Sequence, residues 1–147
     1  MKNWLFLLFC LTFTFVQAQF DLKDFNQQFK QNSKPIFLYF STDWCGVCKI
    51  QEKEIEKHPT IKSKLNTDFY YIKLNGESEE VIEFLDQKYQ PNSQNKTHSF
   101  VTEFVPNKDI AFPLWIILDE NLEVLGKFSG LIKKKNFEQL FIQIKKE

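Results

Sequence analysis

The chain has 147 residues, 43% of them hydrophobic and 26% charged, which suits one domain with a modest core and excludes a disordered chain. Its 19 basic residues are all Lys and are balanced by 19 acids. That leaves no positive surplus for nucleic acid and no Arg fork for gripping phosphate. Seventeen Phe point to an aromatic-rich core.

At the N-terminus, Lys2 precedes a nearly unbroken apolar run of 13 residues, Trp4 to Val16. Val16-Gln17-Ala18 then places small or branched residues at the two positions a signal peptidase reads. Residues 1–18 read as a cleavable signal peptide and 19–147 as the working domain. The run is short for a retained anchor, since a membrane-spanning helix takes ~20 residues. Phe9 is too bulky beside Cys10 for lipid attachment. Loss of the leader leaves 18 Lys against 19 acids, a net charge of −1, and only Cys45 and Cys48 as cysteines. The expectation is an exported protein, periplasmic or extracellular, in an oxidising compartment.

Phe20, Leu22, Phe25 and Phe29 recur at helical spacing before Ser33-Lys34-Pro35 ends the pattern. Ile36 to Phe40 is an apolar run expected to form a strand buried on both faces. After the turn Ser41–Trp44, a helix is predicted from Cys45 to about His58-Pro59, with a short helix through Ile61 and Leu65 beyond it. Asp68 to Leu74 reads as a strand. Glu77 to Tyr89 reads as a helix carrying Val81, Ile82, Leu85 and Tyr89. Pro91 to Ser99 reads as a polar loop, and Phe100 to Phe104 fits helix or strand equally. Leu114 to Leu118 is a second buried strand, Asp119–Asn121 a turn, Glu123 to Phe128 its hairpin partner, and Asn136 to Ile144 a closing helix. The order α-β-α-β-α-β-β-α gives an α/β fold, a mixed sheet covered by helices on both faces.

Cys45-Gly46-Val47-Cys48 falls where a buried strand gives way to a helix. There, free backbone N–H groups and the helix dipole favour a thiolate on the first cysteine. The second lies at i+3, one turn on and on the same face. Cys45 is therefore expected to attack a disulfide and Cys48 to resolve the mixed disulfide that results. Two other uses of a C-x-x-C compete. Half a zinc site would need two more ligands, and His58 and His98 are too far apart in sequence to supply them in a metal-binding spacing. A structural disulfide would close too short a loop to staple the fold well.

The segment Trp44-Cys45-Gly46-Val47-Cys48-Lys49 resembles the active-site segment of the thioredoxin superfamily. Phe40 to Cys45 is most similar to exported thioredoxin-like proteins and to the C-terminal domain of the membrane electron transporter DsbD. Tyr71 to Asn75 resembles the next strand of the family. Phe112-Pro113 falls where the family keeps a cis-proline, and Gly130 matches a glycine near that site; an ordinary trans proline opening a strand is the alternative. The resemblance implies a thioredoxin-like three-layer sandwich, with a helical insertion before the cis-proline strand. It further implies that Phe112 and Pro113 bind substrate. Trp44, beside the nucleophile, reads as a semi-exposed platform that packs on bound substrate, with a core aromatic as the alternative.

Many relatives place a buried Asp where this chain has Tyr39. Glu52, at i+4 from Cys48, offers a substitute proton acceptor, as in DsbD-like relatives, and Lys73 is the expected partner of that acid; a solvated charged face is the alternative for both. Asn75 to Pro113 is about 20 residues longer than in a minimal thioredoxin. Asn95-Lys96-Thr97 fits a glycosylation sequon, a pattern common by chance. His58 reads as helix-end punctuation, His98 as a loop residue and Trp115 as core.

The function implied is exported thiol–disulfide exchange on protein disulfides. It would be catalysed by Cys45, Cys48 and Glu52 without cofactor or metal, in a monomer recharged by a membrane thiol–disulfide transporter. Gly46-Val47 places no charge between the cysteines, which favours a reductant over a strong oxidant. The alternative is a non-catalytic thioredoxin-like module that binds partners through residues 76–112. A copper-handling or haem-maturation role would also use a cysteine pair, but no third metal ligand is placed for it.

Overall fold

The apolar runs at 36–40 and 114–118 become neighbouring strands at the centre of the sheet. The computed structural model describes residues 22–106 and 110–145, so the expected leader lies outside the described residues. Strand β1 (Ile36–Ser41) pairs in parallel with β2 (Tyr70–Asn75), with Ile36 opposite Tyr70. On its other side β1 pairs antiparallel with β5 (Leu114–Leu118), with Ile36 opposite Leu118. The edge strand β6 (Val124–Ser129) completes the order β2-β1-β5-β6, with a bulge beside Leu118.

Alternation along the strands divides the core in two. Ile36, Leu38 and Phe40, with Leu114, Ile116 and Leu118, face one way and meet Phe25 of α1 (Leu22–Gln31). Phe37 and Tyr39, with Trp115 and Ile117, face the other way. There they meet α2 (Gly46–Lys57), α3 (Pro59–Thr67) and α5 (Lys134–Ile144) through Ile55, Ile61, Leu65, Phe137 and Phe141. The expected three layers are present. His58 separates α2 from α3, and Pro59 fits the first position of α3, where its missing N–H costs nothing.

The insertion differs from the sequence expectation. Glu77 to Tyr89 is not a helix. Ile82–Phe84 (β3) and Gln87–Tyr89 (β4) form an antiparallel hairpin, and the helical part of the insertion is α4 (Ser99–Phe104). Two contacts with α1 fasten the hairpin tip. The buried Asn26 side chain accepts the Leu85 N–H at 2.9 Å, and Lys30 pairs with Asp86. Ile82 and Phe84 point inward, and Phe84 stacks on Phe25 and leans on Phe100. The insertion thus forms part of the first core.

His98, expected as a plain loop residue, is fully buried. Its Nδ1 accepts the Phe100 N–H at 3.1 Å, capping α4, and its Nε2–H donates to Glu80 O at 3.0 Å. Both bonds fit one neutral tautomer. Burial pulls the imidazole below its ordinary value, opposed by the Glu80 bond. The folded chain then binds fewer protons than the unfolded chain once pH falls below about 6.5. Stability from this group is complete above that pH and is lost as pH falls toward the lowered value. His98→Asn keeps the cap and removes the titration. Its Tm deficit against wild type is expected to shrink between about pH 7.5 and about pH 5; an unchanged deficit would mean that His98 does not titrate as the fold requires.

Candidate functional site

Cys45 is the N-cap of α2, in extended conformation, and Cys48 sits in the first turn. The sulfurs are joined at 2.03 Å across a Cα–Cα separation of 5.3 Å. Cys45 Sγ also accepts the Cys48 N–H at 3.1 Å. This is one of the free N–H groups every helix start leaves, and it points at the sulfur that would carry charge when the bond is reduced. Both cysteines belong to the second core cluster, at 4% and 2% exposure, while Trp44, Val47 and Ile50 stand exposed around them.

Beneath the pair, Tyr39 holds the place where many relatives carry an acid. Its hydroxyl donates to Cys48 O at 3.1 Å. Burial pushes the phenol up, and the Glu52 charge pushes it further, so Tyr39 is a fixed donor here rather than a base. Glu52 lies one turn beyond Cys48 and pairs with Lys73 of β2 at 3.1 Å, the pairing expected from sequence. Its charge also bears on Tyr71, whose phenol is raised first by burial and then by Tyr39, Glu52 and Glu56. The Glu52 charge thus bears on both tyrosines. Among the described residues no group of three or more His, Cys, Asp or Glu could hold a metal ion.

The wall beside the pair comes from distant segments. The Phe112–Pro113 bond is cis, as the resemblance implies, and Pro113 O accepts the N–H of Gly130 at 2.8 Å. Gly130 has φ +96°, which a side chain would oppose. The Phe112 ring lies over Gly76 so closely that a methyl group there would overlap the ring edge. Phe112 meets Trp44 edge to face at 6.4 Å, and the Trp44 indole N–H donates to Glu77 Oε2 at 2.9 Å. Trp44 remains 67% exposed, an aromatic platform next to Cys45.

Sequence reasoning missed Glu77, Gly76, Gln51 and the clamp made by His98. Gln51 is fully buried on α2 and bonds both ways with the Ile132 backbone, at 3.1 and 2.6 Å, tying the cysteine helix to the loop before α5. It stands within the run Gln51-Glu52-Lys53-Glu54, and polarity alone hid it. Its position three residues after Cys48, on the core face, was the available signal. Nothing local marks the contacts that Glu77 and Gly76 make at the site, because Trp44 and Phe112 lie more than 30 residues away in sequence.

The family profile for the thioredoxin-like domain matches residues 22–145. No curated protein sequence matches the chain. Among solved structures it is similar to one described as DsbH oxidoreductase, at 18% identity and TM-score 0.56, over 83% of this chain and 80% of that one. It is also similar to the C-terminal domain of Neisseria meningitidis DsbD. The oxidised form of that domain aligns at 15% identity and TM-score 0.55, over 82% of this chain and 90% of that one. The reduced form aligns at 16% and 0.54, over 80% and 88%. At such identities the likeness is one of fold.

Proposed function

We propose that this chain, which belongs to the thioredoxin-like domain family, works as an exported reductant of protein disulfides. The observation that carries the reading is the cysteine pair at the start of α2, with Cys45 Sγ held against the Cys48 N–H. Thiol–disulfide exchange is the chemistry this arrangement supports. In the reducing direction, the Cys45 thiolate attacks a client disulfide. A mixed disulfide forms and one client thiolate leaves and takes a proton. The Cys48 thiolate then attacks Cys45 Sγ, expels the second client thiolate, and closes Cys45–Cys48. Two electrons pass to the client, and a donor dithiol restores the pair by the reverse exchange.

Glu52 takes the Cys48 proton in the second step. Its place at i+4 from Cys48, and its charge acting on Tyr39, support this role. Lys73 holds the carboxylate in place. Trp44, Phe112 and Pro113 receive the client chain. Export rests on the leader-like residues 1–18. A membrane thiol–disulfide transporter as donor, and a monomeric state, complete the reading. Glu52→Gln is expected to slow resolution of the mixed disulfide on the order of 10–100-fold, read by stopped-flow, with attack by Cys45 little changed; an unaltered resolution rate would remove Glu52 from the relay.

The deciding measurement is the reduction potential of the pair, by equilibration with glutathione and thiol counting. A value at or below about −220 mV is expected, since Gly46-Val47 gives the thiolate no charged support. A value near about −120 mV would reverse the electron flow. Absence of a reversible couple would leave a non-catalytic binding module.

A further inference from the structure

The wall beside the cysteines depends on one short loop, residues 76–81, between β2 and β3. Gly76 carries the Phe112 ring and Glu77 takes the Trp44 indole. At its start the loop is tied to the active-site strand, where the Gly76 N–H donates to Ser41 O at 2.8 Å. The Glu77 N–H donates to the Asn75 side chain at 2.9 Å. Among the described residues, His98 bonds the loop to the start of α4 at two points. The His98 backbone N–H donates to Gly76 O at 2.8 Å, and His98 Nε2–H donates to Glu80 O at 3.0 Å. Through Nδ1 the same ring anchors α4, whose Phe100 and Val101 are locked in the core.

We propose that His98 is a positioning residue for substrate binding: its buried ring fixes the 76–81 loop to the start of α4, so that Gly76 and Glu77 hold Phe112 and Trp44 in a preset wall beside Cys45. Each bond of the ring has a separate task. The Nδ1 bond stabilises α4, and the Nε2 bond sets the loop. A wall set in advance lowers the ordering cost when a client chain docks and leaves the sulfur chemistry untouched. The buried start of α4 thus acts on client affinity from inside the core. This rests on the exchange function proposed above.

Two substitutions separate the tasks. His98→Asn can keep the α4 cap but cannot reach Glu80 O, whereas His98→Gln can place its Nε2–H at Glu80 O and gives up the cap. With insulin as the disulfide substrate, His98→Asn is expected to raise KM about five- to tenfold with kcat within about twofold. In the same variant the indole N–H resonance of Trp44 moves toward its position in Glu77→Gln. His98→Gln is expected to hold both KM and the resonance near wild type, even where its Tm falls further. Asn26→Ala, which loosens the far tip of the same hairpin, controls for instability and should leave the Trp44 resonance in place. KM or resonance changes that follow Tm across the three variants would overturn the proposal, as would a wild-type KM and resonance in His98→Asn. The resonance needs no turnover, so an inactive wild type would count against the exchange function while the Trp44 signal still decides the role of His98.

Discussion

Cys45→Ser is expected to bring disulfide reduction down to the uncatalysed background, while Cys48→Ser completes the first step and stalls at the second. Exposure does not separate the two sulfurs, since both are almost covered. Their places on the helix do. Cys45 stands just outside α2 and its sulfur faces a free N–H at 3.1 Å. Cys48 lies within the first turn, and its carbonyl is held by Tyr39. The helix start therefore stabilises charge on Cys45 more than on Cys48, and charge governs thiol nucleophilicity near neutral pH. The bridge closes too short a loop for its loss to unfold the chain. In an insulin-reduction assay with dithiothreitol as donor, Cys45→Ser should be silent. Cys48→Ser should accumulate a covalent adduct with its client, visible on a non-reducing gel and released by excess thiol. Turnover surviving in Cys45→Ser, or an adduct forming on Cys48, would reverse the roles.

The parts of this architecture readable in the sequence are those where local pattern and tertiary environment agree. Ile36–Phe40 and Leu114–Leu118 are apolar throughout because both faces of the central strands are covered, and no polar partner interrupts them. The cysteine turn was legible because a buried strand ends and a helix starts within a few residues. The Glu52–Lys73 pair followed from spacing on α2 together with the resemblance. The 77–89 segment failed for a physical reason. Val81, Ile82, Leu85 and Tyr89 fit a helical period, yet Val81 is exposed, and Ile82 and Phe84 alternate inward as a strand requires. The turn places Leu85 and Asp86 at φ 49° and 68°, a conformation that hairpin sequences usually signal with Asn-Gly. Here Asn26 and Lys30 of α1 hold it from outside, so the signal lies about 60 residues away. His98 escaped likewise. It sits among polar loop residues, and its burial is created by the core that the insertion joins.

Trp115→Ala is expected to cost about 3–5 kcal/mol, a Tm loss of about 10–20 °C in a domain of this size. Trp115 is fully buried in β5 and packs against Tyr39 at 4.5 Å, Phe137 at 5.5 Å and Tyr71 at 6.1 Å. Truncation leaves a cavity bounded by three rings that the sheet and α5 hold apart, so little of it can collapse. Trp115→Phe makes a sharper comparison. The indole N–H finds no hydrogen-bond partner among the described residues. Replacing Trp by Phe therefore removes an unpaired buried donor while keeping a ring against Tyr39. The gain offsets part of the lost volume, and the cost should be about 1–2 kcal/mol. Equal costs for the two variants, measured by urea titration, would mean that ring packing is not what Trp115 supplies. The same comparison reaches the chemistry. Tyr39 rests on Trp115 and donates to the Cys48 carbonyl. An alanine frees the phenol to tilt, and the resolving cysteine loses its fixed backbone. Slower mixed-disulfide resolution should therefore accompany the stability loss in Trp115→Ala but not in Trp115→Phe, because only the first removes the surface that Tyr39 stands on.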